Sequence, residues 1–345
     1  MSLLRPKFSK NISIDLGTAN VLVYVAGQGI VINEPSVVAI NNRTDQILAV
    51  GNDAKIMMGK TPQYITISRP LVDGVISDFE VTEKMIKHFM DKVHRQNFAF
   101  MPRSRVLVGV PLDVTEVERK AVEDAIIGAG AKEVFLIDEP MAAAIGAGLP
   151  VQDAQASMIV DIGGGTSDIA VISLGGIVTW KSLKLAGDKL SDAITQYVRE
   201  KYNTLLGEKT SEAIKIRLGS VMPLEQELEM VVRGRDLMTG LPKEIVLNDT
   251  EVREAMSKII RLIIENIKIT IENTPPELVA ELYERGIVVT GGGALLRKID
   301  ALIEKETKIP VHIAHDPLTT VVRGAGIVLE DLATLKNLLL PSSKG

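Results

Sequence analysis

The sequence predicts an α/β protein made of two similar domains, and three observations support this prediction. Two hairpin patterns, one containing Asp15 and the other Asp161, lie 146 residues apart, a spacing that indicates a duplicated domain rather than short solenoid repeats. Helical segments alternate with apolar strands along the chain, which is typical of the α/β class. The chain has 345 residues, more than the ~250 that one hydrophobic core usually serves.

The two hairpin patterns share one design. Each is an apolar strand that ends in Asp, followed by a turn rich in small residues and a second apolar strand. The first pattern covers residues 11–25 and turns at residues 17–20. The second covers residues 157–174 and turns at residues 163–166.

Such turns suit the binding of phosphate groups. Glycine lets backbone N–H groups approach a phosphate without a Cβ in the way. The neighbouring carboxylate would repel a phosphate unless a cation lay between them, and Mg²⁺ is often held through one or two carboxylates plus phosphate oxygens. One Asp-x-Gly hairpin alone is more often simple turn chemistry. Two of them, with a third glycine bend at residues 291–293, favour a nucleotide site.

Two helices are predicted between the hairpins. Residues 82–95 carry apolar side chains at helical spacing on one face, namely Met85, Ile86, Phe89 and Val93. Thr115 and Glu118 have the spacing of a capping box, in which each side chain accepts a hydrogen bond from the other residue's backbone N–H. The second helix is therefore expected to begin directly after Thr115.

The last third of the chain contains the longest helical pattern, residues 251–272. We expect Thr274 to cap the helix that follows, with Pro275 at its first position and Glu277 completing a capping box. Residues 285–296 then predict a strand, a glycine bend and the start of another helix.

A pair of acidic residues, Asp138 and Glu139, ends an apolar strand and precedes a helix of small residues. Acids at a strand end beside a phosphate site could orient an attacking water, as phosphoryl transfer requires. The same acids could instead cap the helix. These residues alone leave both interpretations open.

Composition excludes several classes of function. Lys and Arg number 39 against 44 Asp and Glu, and this net charge of −5 gives no global electrostatic reason to bind nucleic acid. The absence of cysteine excludes disulfides, thiol nucleophiles and thiolate metal sites. The glycine pairs Gly128/Gly130 and Gly324/Gly326 lack the third glycine of a dinucleotide fingerprint, so we expect them to allow close helix packing.

The sequence shows neither a signal peptide at its N-terminus nor an apolar run near the ~20 residues that a membrane-spanning helix needs. We therefore expect a cytoplasmic protein.

Five segments, in order along nearly the whole chain, resemble the five motifs of the actin, heat-shock chaperone and sugar kinase ATPase superfamily. They are residues 15–20, 138–144, 161–166, 290–294 and 323–326. Three further segments are similar to the MreB family of bacterial actin homologues, which determine rod shape; these are residues 29–39, 69–76 and 284–293.

The resemblance implies an actin-like ATPase fold: two duplicated α/β domains, each with a smaller subdomain, and the nucleotide in the central cleft. The implied boundaries are residues 1–32, 78–148 and 317–345 for subdomain IA, 33–77 for IB, 149–188 and 250–316 for IIA, and 189–249 for IIB.

The resemblance also implies a site with ATP and Mg²⁺ as cofactors. Glu139 would polarise the attacking water with Thr166 near it, and Asp15 and Asp161 would hold the magnesium ion through water. The implied nucleotide contacts are Thr18, Ala19, Asn20, Gly164, Gly165, Thr166, Glu212, Ala213, Ile214, Lys215, Gly292, Gly293, Ala294 and Leu295. Asp138 stands where relatives often carry Glu. Asp168 also stands where relatives commonly carry Glu, and this second replacement could tune hydrolysis.

Three classes of function share this fold. A chaperone would need a substrate-binding domain after the last motif, but that motif is followed only by a short stretch ending at Gly345. A sugar or acetate kinase would need inserted sugar-binding segments, and none are seen. We therefore expect an actin-like, filament-forming ATPase with slow hydrolysis coupled to polymerisation. The alternative is a small-molecule kinase of the same superfamily.

The expected partners are further copies of the chain, the inner face of the cytoplasmic membrane and wall-synthesis membrane proteins of the elongation machinery, but no nucleic acid. Two segments could contact lipid. One is the apolar loop of Phe98, Phe100 and Met101, which could equally fold onto the core. The other is the mixed basic and apolar N-terminal segment, residues 3–10.

Overall fold

The computed structural model describes residues 11–95 and 104–341. The chain forms two compact units. Unit 1 contains the described residues up to Asp153, the short stretch Leu174–Gly176 and the residues from Thr319 onward; unit 2 contains Ala154–Ser173 and Ile177–Leu318. The boundaries of the four implied subdomains stay a prediction.

Unit 1 is built on a five-stranded sheet with the order β10-β9-β1-β2-β3. Its elements up to Asp153 are β1 (Asn11–Leu16), β2 (Asn20–Val25), β3 (Gly29–Pro35), β4 (Val38–Asn41), β5 (Gln46–Val50), α1 (Asn52–Met57), β6 (Ile65–Ser68), β7 (Leu71–Val72), β8 (Val75–Ile76), α2 (Phe79–Arg95), β9 (Arg105–Val110), α3 (Glu116–Gly128), β10 (Glu133–Asp138) and α4 (Glu139–Gly146). β4, β5 and β6 form a separate small sheet, and β7 pairs with β8.

Unit 2 contains a second five-stranded sheet with the order β13-β12-β11-β17-β18. Its elements are β11 (Ser157–Ile162), β12 (Ser167–Ser173), β13 (Gly176–Leu183), α5 (Gly187–Tyr202), β14 (Thr204–Leu205), α6 (Glu208–Leu218), β15 (Glu229–Asp236), β16 (Pro242–Asn248), α7 (Asp249–Glu272), α8 (Pro276–Arg285), β17 (Ile287–Thr290), the 3₁₀ helix Gly292–Leu295, α9 (Ile299–Thr307) and β18 (Val311–Ile313). The chain then returns to unit 1 with α10 (Thr320–Glu330), α11 (Leu332–Leu335) and the 3₁₀ helix Lys336–Leu338.

The two large sheets have the same topology, which confirms the duplication inferred from the hairpin patterns. In unit 1, β1 pairs antiparallel with β2 and parallel with β9, which is parallel to β10. In unit 2, β11 pairs antiparallel with β12 and parallel with β17, which is parallel to β18. Each sheet therefore carries an Asp-containing hairpin beside two parallel strands.

Each unit has its own apolar core. In unit 1, alternate residues of β1 such as Ile12 and Ile14 are buried in the same cluster as the predicted apolar face of α2, Met85, Ile86, Phe89 and Val93. In unit 2, the core joins β11 and β17 to the apolar face of α7. Burial of these faces removes their apolar surface from water, which is the main force that holds each helix on its sheet.

Helix starts follow the predicted capping chemistry in one place and differ in another. The Thr115–Glu118 capping box begins α3 as predicted. α8 begins one residue later than expected, with Pro276 at its first position and Pro275 at the N-cap position. The Thr274 hydroxyl does not cap α8, because it donates to the carbonyl of Thr270 at 2.7 Å.

Close glycine contacts fix the position of α4. A Cβ on Gly324 of α10 would lie 1.8 Å from the Ala142 carbonyl oxygen, and one on Gly146 of α4 would lie 1.9 Å from that of Thr320. These contacts confirm the helix-packing role expected for Gly324. Gly130, in contrast, has a φ of +110° and open space around it, so it serves a turn after α3 rather than helix packing.

No helix within residues 11–95 and 104–341 is long and apolar enough to cross a bilayer.

Candidate functional site

The turn of the unit 1 hairpin is held by Ser36, which follows β3. The Ser36 hydroxyl donates to the carbonyl of Gly17 at 2.5 Å, and the Ser36 N–H donates to the carbonyl of Ala19 at 3.1 Å. In a trans peptide the C=O and the next residue's N–H point in opposite directions. The N–H groups of Thr18 and Asn20 therefore point away from Ser36, as a pair of donors on the outer side of the turn.

The side chain of Thr18 is also fixed. It is buried, and its hydroxyl oxygen accepts a hydrogen bond from the Gly74 N–H at 3.0 Å. Gly74 lies in the turn between β7 and β8, 56 residues further along the chain. Sequence reasoning missed Gly74, because nothing in the local pattern of residues 71–76 indicates a long-range contact.

Asp15 is the penultimate residue of β1, two residues before the turn. Burial raises the pKa of its carboxyl from 3.8 to about 7, because removal from water disfavours the ionised form. A cation beside this carboxyl would favour ionisation again and lower its pKa.

Glu139 is the first residue of α4, after Asp138 at the end of β10. Asp138 occupies the N-cap position of α4, but its side chain makes no capping hydrogen bond. A Cβ on Gly109 of the neighbouring β9 would lie 3.0 Å from Cγ of Glu139. Gly109, which sequence reasoning also missed, therefore leaves the space that the Glu139 side chain occupies.

Glu139 borders a small cavity inside unit 1. The cavity has a volume of about 10 Å³ and is also lined by Leu16, Gly74 and Gly109. This volume is near the lower limit for a single water molecule. The cavity therefore lies beside Leu16 at the end of β1, beside Gly74, whose N–H is bonded to Thr18, and beside Glu139, the predicted catalytic residue.

The turn of the unit 2 hairpin is held by the first residues of α5. The carbonyl of Gly163 accepts the Gly187 N–H at 3.1 Å, and the carbonyl of Gly164 accepts the Asp188 N–H at 2.8 Å. By the same geometry of the trans peptide, the N–H groups of Gly164 and Gly165 point away from α5. Two adjacent amides directed to one side form the kind of concave anion site that phosphates occupy.

Two acidic residues lie on neighbouring strands next to this turn. Asp161 and Asp168 are directly opposite each other in the β11–β12 ladder, and both are buried. Directly opposite residues share one face of the sheet, where two like charges repel each other. A cation at this face would reduce that repulsion.

The third glycine bend lies against Asp161. Gly291 has a φ of +77°, and a Cβ there would lie 2.3 Å from an Asp161 carboxylate oxygen. Thr290 and Gly291 both donate to the carbonyl of Pro317, from the hydroxyl at 2.9 Å and the N–H at 3.0 Å. The bend leads into the 3₁₀ helix Gly292–Leu295, in which Ala294 is buried and Leu295 is exposed.

Glu212 and Lys215 of α6, two of the implied nucleotide contacts, form an i, i+3 ion pair of 2.6 Å. Lys215 Nζ also donates to the carbonyl of Gly187 at 2.8 Å. The α6 residues are thus connected to the N-terminus of α5 and through it to the turn at residues 163–166. The sequence analysis did not identify Gly187 as part of the site, although a glycine between a strand and a helix often marks a close approach of two backbone segments.

The structure therefore groups the predicted residues within each unit. In unit 1, Asp15, Thr18, Ala19 and Asn20 lie in or next to the first turn, and Glu139 borders a cavity that is also lined by Leu16 and Gly74. In unit 2, Asp161, the turn at 163–166, the α6 residues 212–215 and the 3₁₀ helix are joined by direct contacts. The expected proximity of Thr166 to Glu139 stays a prediction.

Among the described residues, no cluster of three or more His, Cys, Asp or Glu could hold a metal ion. A magnesium ion held by one or two carboxylates, water and phosphate oxygens needs no such cluster. Asp15 in unit 1 and Asp161 in unit 2 each carry hard carboxylate oxygens of the kind that Mg²⁺ prefers.

The chain matches the family model "MreB/Mbl protein" over residues 9–337. It is 53% identical over 330 residues to the cell shape-determining protein MreB of Escherichia coli (strain K12), covering 94% of this chain and 95% of that protein. It is 47% identical over 328 residues to the cell shape-determining protein Mbl of Bacillus subtilis (strain 168), covering 95% and 98%.

Solved structures show the same fold. MreB5 of Spiroplasma citri bound to ADP has a TM-score of 0.90 and 40% sequence identity, covering 96% of this chain and 99% of that chain. The MamK double helical filament has a TM-score of 0.78, covering 93% and 99%; at 22% identity it supports the fold alone. These matches confirm the actin-like fold and give no support to the kinase alternative. The chain therefore belongs to the MreB/Mbl family of actin-like proteins.

Proposed function

We propose that this chain is an ATP-binding, filament-forming cytoskeletal protein that determines cell shape. The observation that carries the proposal is the arrangement of the two hairpin turns. In each turn, the carbonyls that would repel a phosphate are held by other groups of the protein, Ser36 in unit 1 and the start of α5 in unit 2. Backbone N–H groups are left on the other side, where they can bind phosphate oxygens.

The phosphate contacts are assigned accordingly. The N–H groups of Thr18 and Asn20, with Ala19 between them, serve the unit 1 turn. The N–H groups of Gly164 and Gly165, with the Thr166 hydroxyl, serve the unit 2 turn. The nucleoside contacts are assigned by family resemblance to residues 212–215 of α6 and residues 292–295 of the 3₁₀ helix.

Asp15 and Asp161 are proposed to hold Mg²⁺ through water. The raised pKa of Asp15 and the facing carboxyls of Asp161 and Asp168 support this assignment, because a cation relieves both. When bound, the ion would neutralise charge on the phosphate oxygens. Asp161→Ala should weaken ATP binding in the presence of Mg²⁺ but much less in its absence. An unchanged affinity with Mg²⁺ would remove Asp161 from the site.

Glu139 is proposed to orient the water that attacks the terminal phosphate. Its place beside a cavity the size of one water supports this role. Glu139→Ala should leave ATP affinity intact and slow hydrolysis by about 10²-fold, the scale of a lost general base. Glu133→Ala is a matched control, since Glu133 begins β10, the strand that precedes Glu139, and is exposed. Equal hydrolysis by wild type and Glu139→Ala would exclude this mechanism.

The filament and cell-shape functions are supported by the relatives. Those from E. coli and B. subtilis are named cell shape-determining proteins, and structures of MreB5 are described as bound to ADP and to AMPPNP. We propose slow ATP hydrolysis coupled to polymerisation of the chain. Polymerisation is tested by pelleting the purified protein with and without Mg²⁺-ATP.

We further propose that filaments lie on the inner face of the cytoplasmic membrane, together with wall-synthesis proteins of the elongation machinery. The candidate lipid contacts, Phe98, Phe100 and Met101 or the N-terminal segment, lie outside the described residues. Replacing Phe98 and Phe100 with Ser should abolish co-sedimentation with anionic liposomes without changing ATP turnover. If lipid binding survives in this variant, the N-terminal segment becomes the candidate.

A further inference from the structure

A closed polar network connects α6 to the first turns of α5 in unit 2. It has four members: Gly187, Ser191, Glu212 and Lys215. Lys215 Nζ donates to the Gly187 carbonyl at 2.8 Å and pairs with Glu212 Oε2 at 2.6 Å. The Ser191 hydroxyl lies 2.8 Å from Glu212 Oε2 and 3.3 Å from the Gly187 carbonyl oxygen, so it can donate to either.

The network is mostly shielded from water. The Lys215 side chain is 12% exposed and Ser191 is buried, whereas Glu212 is 44% exposed. Hydrogen bonds are stronger in such an environment, and the members of a network support one another. The exposed carboxylate of Glu212 is the member that a bound ligand can reach.

The network ends at the phosphate-binding turn. Gly187 accepts from Lys215 through its carbonyl and donates through its N–H to the Gly163 carbonyl. A Cβ on Gly187 would lie 3.2 Å from both Gly163 O and Lys215 Nζ, and 3.5 Å from Gly164 Cα. A Cβ here would therefore force the turn or the Lys215 side chain to shift by a few tenths of an ångström.

From this geometry we propose that Gly187 and Ser191 are positioning residues that couple the nucleoside end of the site to its phosphate end. The Glu212–Lys215 pair, held by Ser191, fixes the start of α5. The start of α5 holds the Gly163 and Gly164 carbonyls, and this aims the Gly164 and Gly165 N–H groups. A contact at Glu212 or Lys215 thereby affects phosphate binding. This inference rests on the proposed ATP site.

The test is Ser191→Ala, with Thr195→Val as its matched control. Thr195 lies one turn further along α5, and its hydroxyl bonds the Ser211 hydroxyl of α6 at 2.6 Å and donates to the backbone carbonyl of Ser191 at 3.0 Å. It forms no hydrogen bond with the side chains of Ser191, Glu212 or Lys215. The two variants lose similar contacts between the same helices. Similar melting temperatures would therefore show that any difference in ligand affinity is not a difference in folding.

Three probes separate the two ends of the site: Mg²⁺-ATP, Mg²⁺-pyrophosphate and adenosine, each measured by competition against a fluorescent ATP analogue. Ser191→Ala should weaken Mg²⁺-ATP and Mg²⁺-pyrophosphate by about fivefold, the effect of one hydrogen bond, and adenosine much less. Thr195→Val should bind all three like wild type. Gly187→Ala, which brings the new Cβ against the turn, should show the larger loss for both phosphate probes.

Two results would overturn the inference. One is a Ser191→Ala variant that binds both phosphate probes like Thr195→Val. The other is an equal loss for adenosine and ATP with unchanged pyrophosphate affinity, which would confine Ser191 to the nucleoside end. If wild-type protein binds no Mg²⁺-ATP, the proposed function fails instead, so the two failures are distinguishable.

Discussion

Gly109→Ala is predicted to slow ATP hydrolysis by displacing Glu139, although it adds only one methyl group to a buried strand. The new Cβ would lie 3.0 Å from Cγ of Glu139 and 3.3 Å from a methyl carbon of Val321. Ordinary contacts between carbon atoms are about 3.5–4.0 Å, so Glu139 must move by roughly 0.5–1 Å. Misplacement of a catalytic group by about 1 Å can cost ~10²-fold in rate. We therefore expect hydrolysis to slow by about 10- to 100-fold.

The assay is phosphate release at saturating Mg²⁺-ATP, with ATP affinity and melting temperature measured on the same samples. Affinity should stay near wild type, because Gly109 lies beside Glu139 and not in either turn. Gly207→Ala is the control, since Gly207 has open space and an ordinary φ.

The double variant Gly109→Ala/Glu139→Ala should be no slower than Glu139→Ala alone, because both changes act on the same group. Wild-type hydrolysis by folded Gly109→Ala would refute the reasoning. So would additive losses in the double variant.

Thr115→Ala removes the acceptor of the Glu118 N–H in the capping box and should destabilise the protein by about 1 kcal/mol; an unchanged urea midpoint would contradict this. Gly324→Ala places a Cβ 1.8 Å from the Ala142 carbonyl oxygen and should lower the melting temperature far more than Gly207→Ala; equal values would contradict the packing argument. Hydrogen bonds from the Thr239 N–H, Lys243 and the Met238 N–H lower the pKa of Asp236 from 3.8 to about 2. Its stabilising contribution is present above pH 3.8 and is lost as pH falls through 2, so Asp236→Asn should lower the melting temperature at pH 7, and this effect should shrink as pH falls through 2.

The sequence predicted those helix features that depend only on residues a few positions apart in the chain. The Thr115–Glu118 spacing identified the start of α3, and the apolar spacing at Met85, Ile86 and Phe89 identified the buried face of α2. The same kind of rule could have found the capping box of Asn248 and Glu251, which begins α7 two residues before the predicted start.

The start of α8 was wrong by one residue for a physical reason. Two successive prolines can each occupy the beginning of a helix, and sequence alone does not decide between them. The Thr274 hydroxyl had a competing acceptor in the Thr270 carbonyl at the end of α7. Bonding back to the preceding turn is common for Thr and removes it as a cap.

The contacts that arrange the site join residues far apart in the chain. Thr18 meets Gly74, Glu139 meets Gly109, and Gly163 meets Gly187. No spacing rule relates these pairs, because their proximity follows from how the strands, turns and helices of each unit pack together. The sequence could therefore propose candidate residues for the chemistry but not the glycines that make room for them.

The central claim, an ATP-dependent filament-forming protein, is tested most directly by high-speed pelleting of the purified chain with Mg²⁺-ATP, followed by electron microscopy of the pellet. The account predicts filaments that require nucleotide and are enriched on anionic liposomes. A protein that binds and hydrolyses ATP yet stays in the supernatant, with and without liposomes, would contradict it.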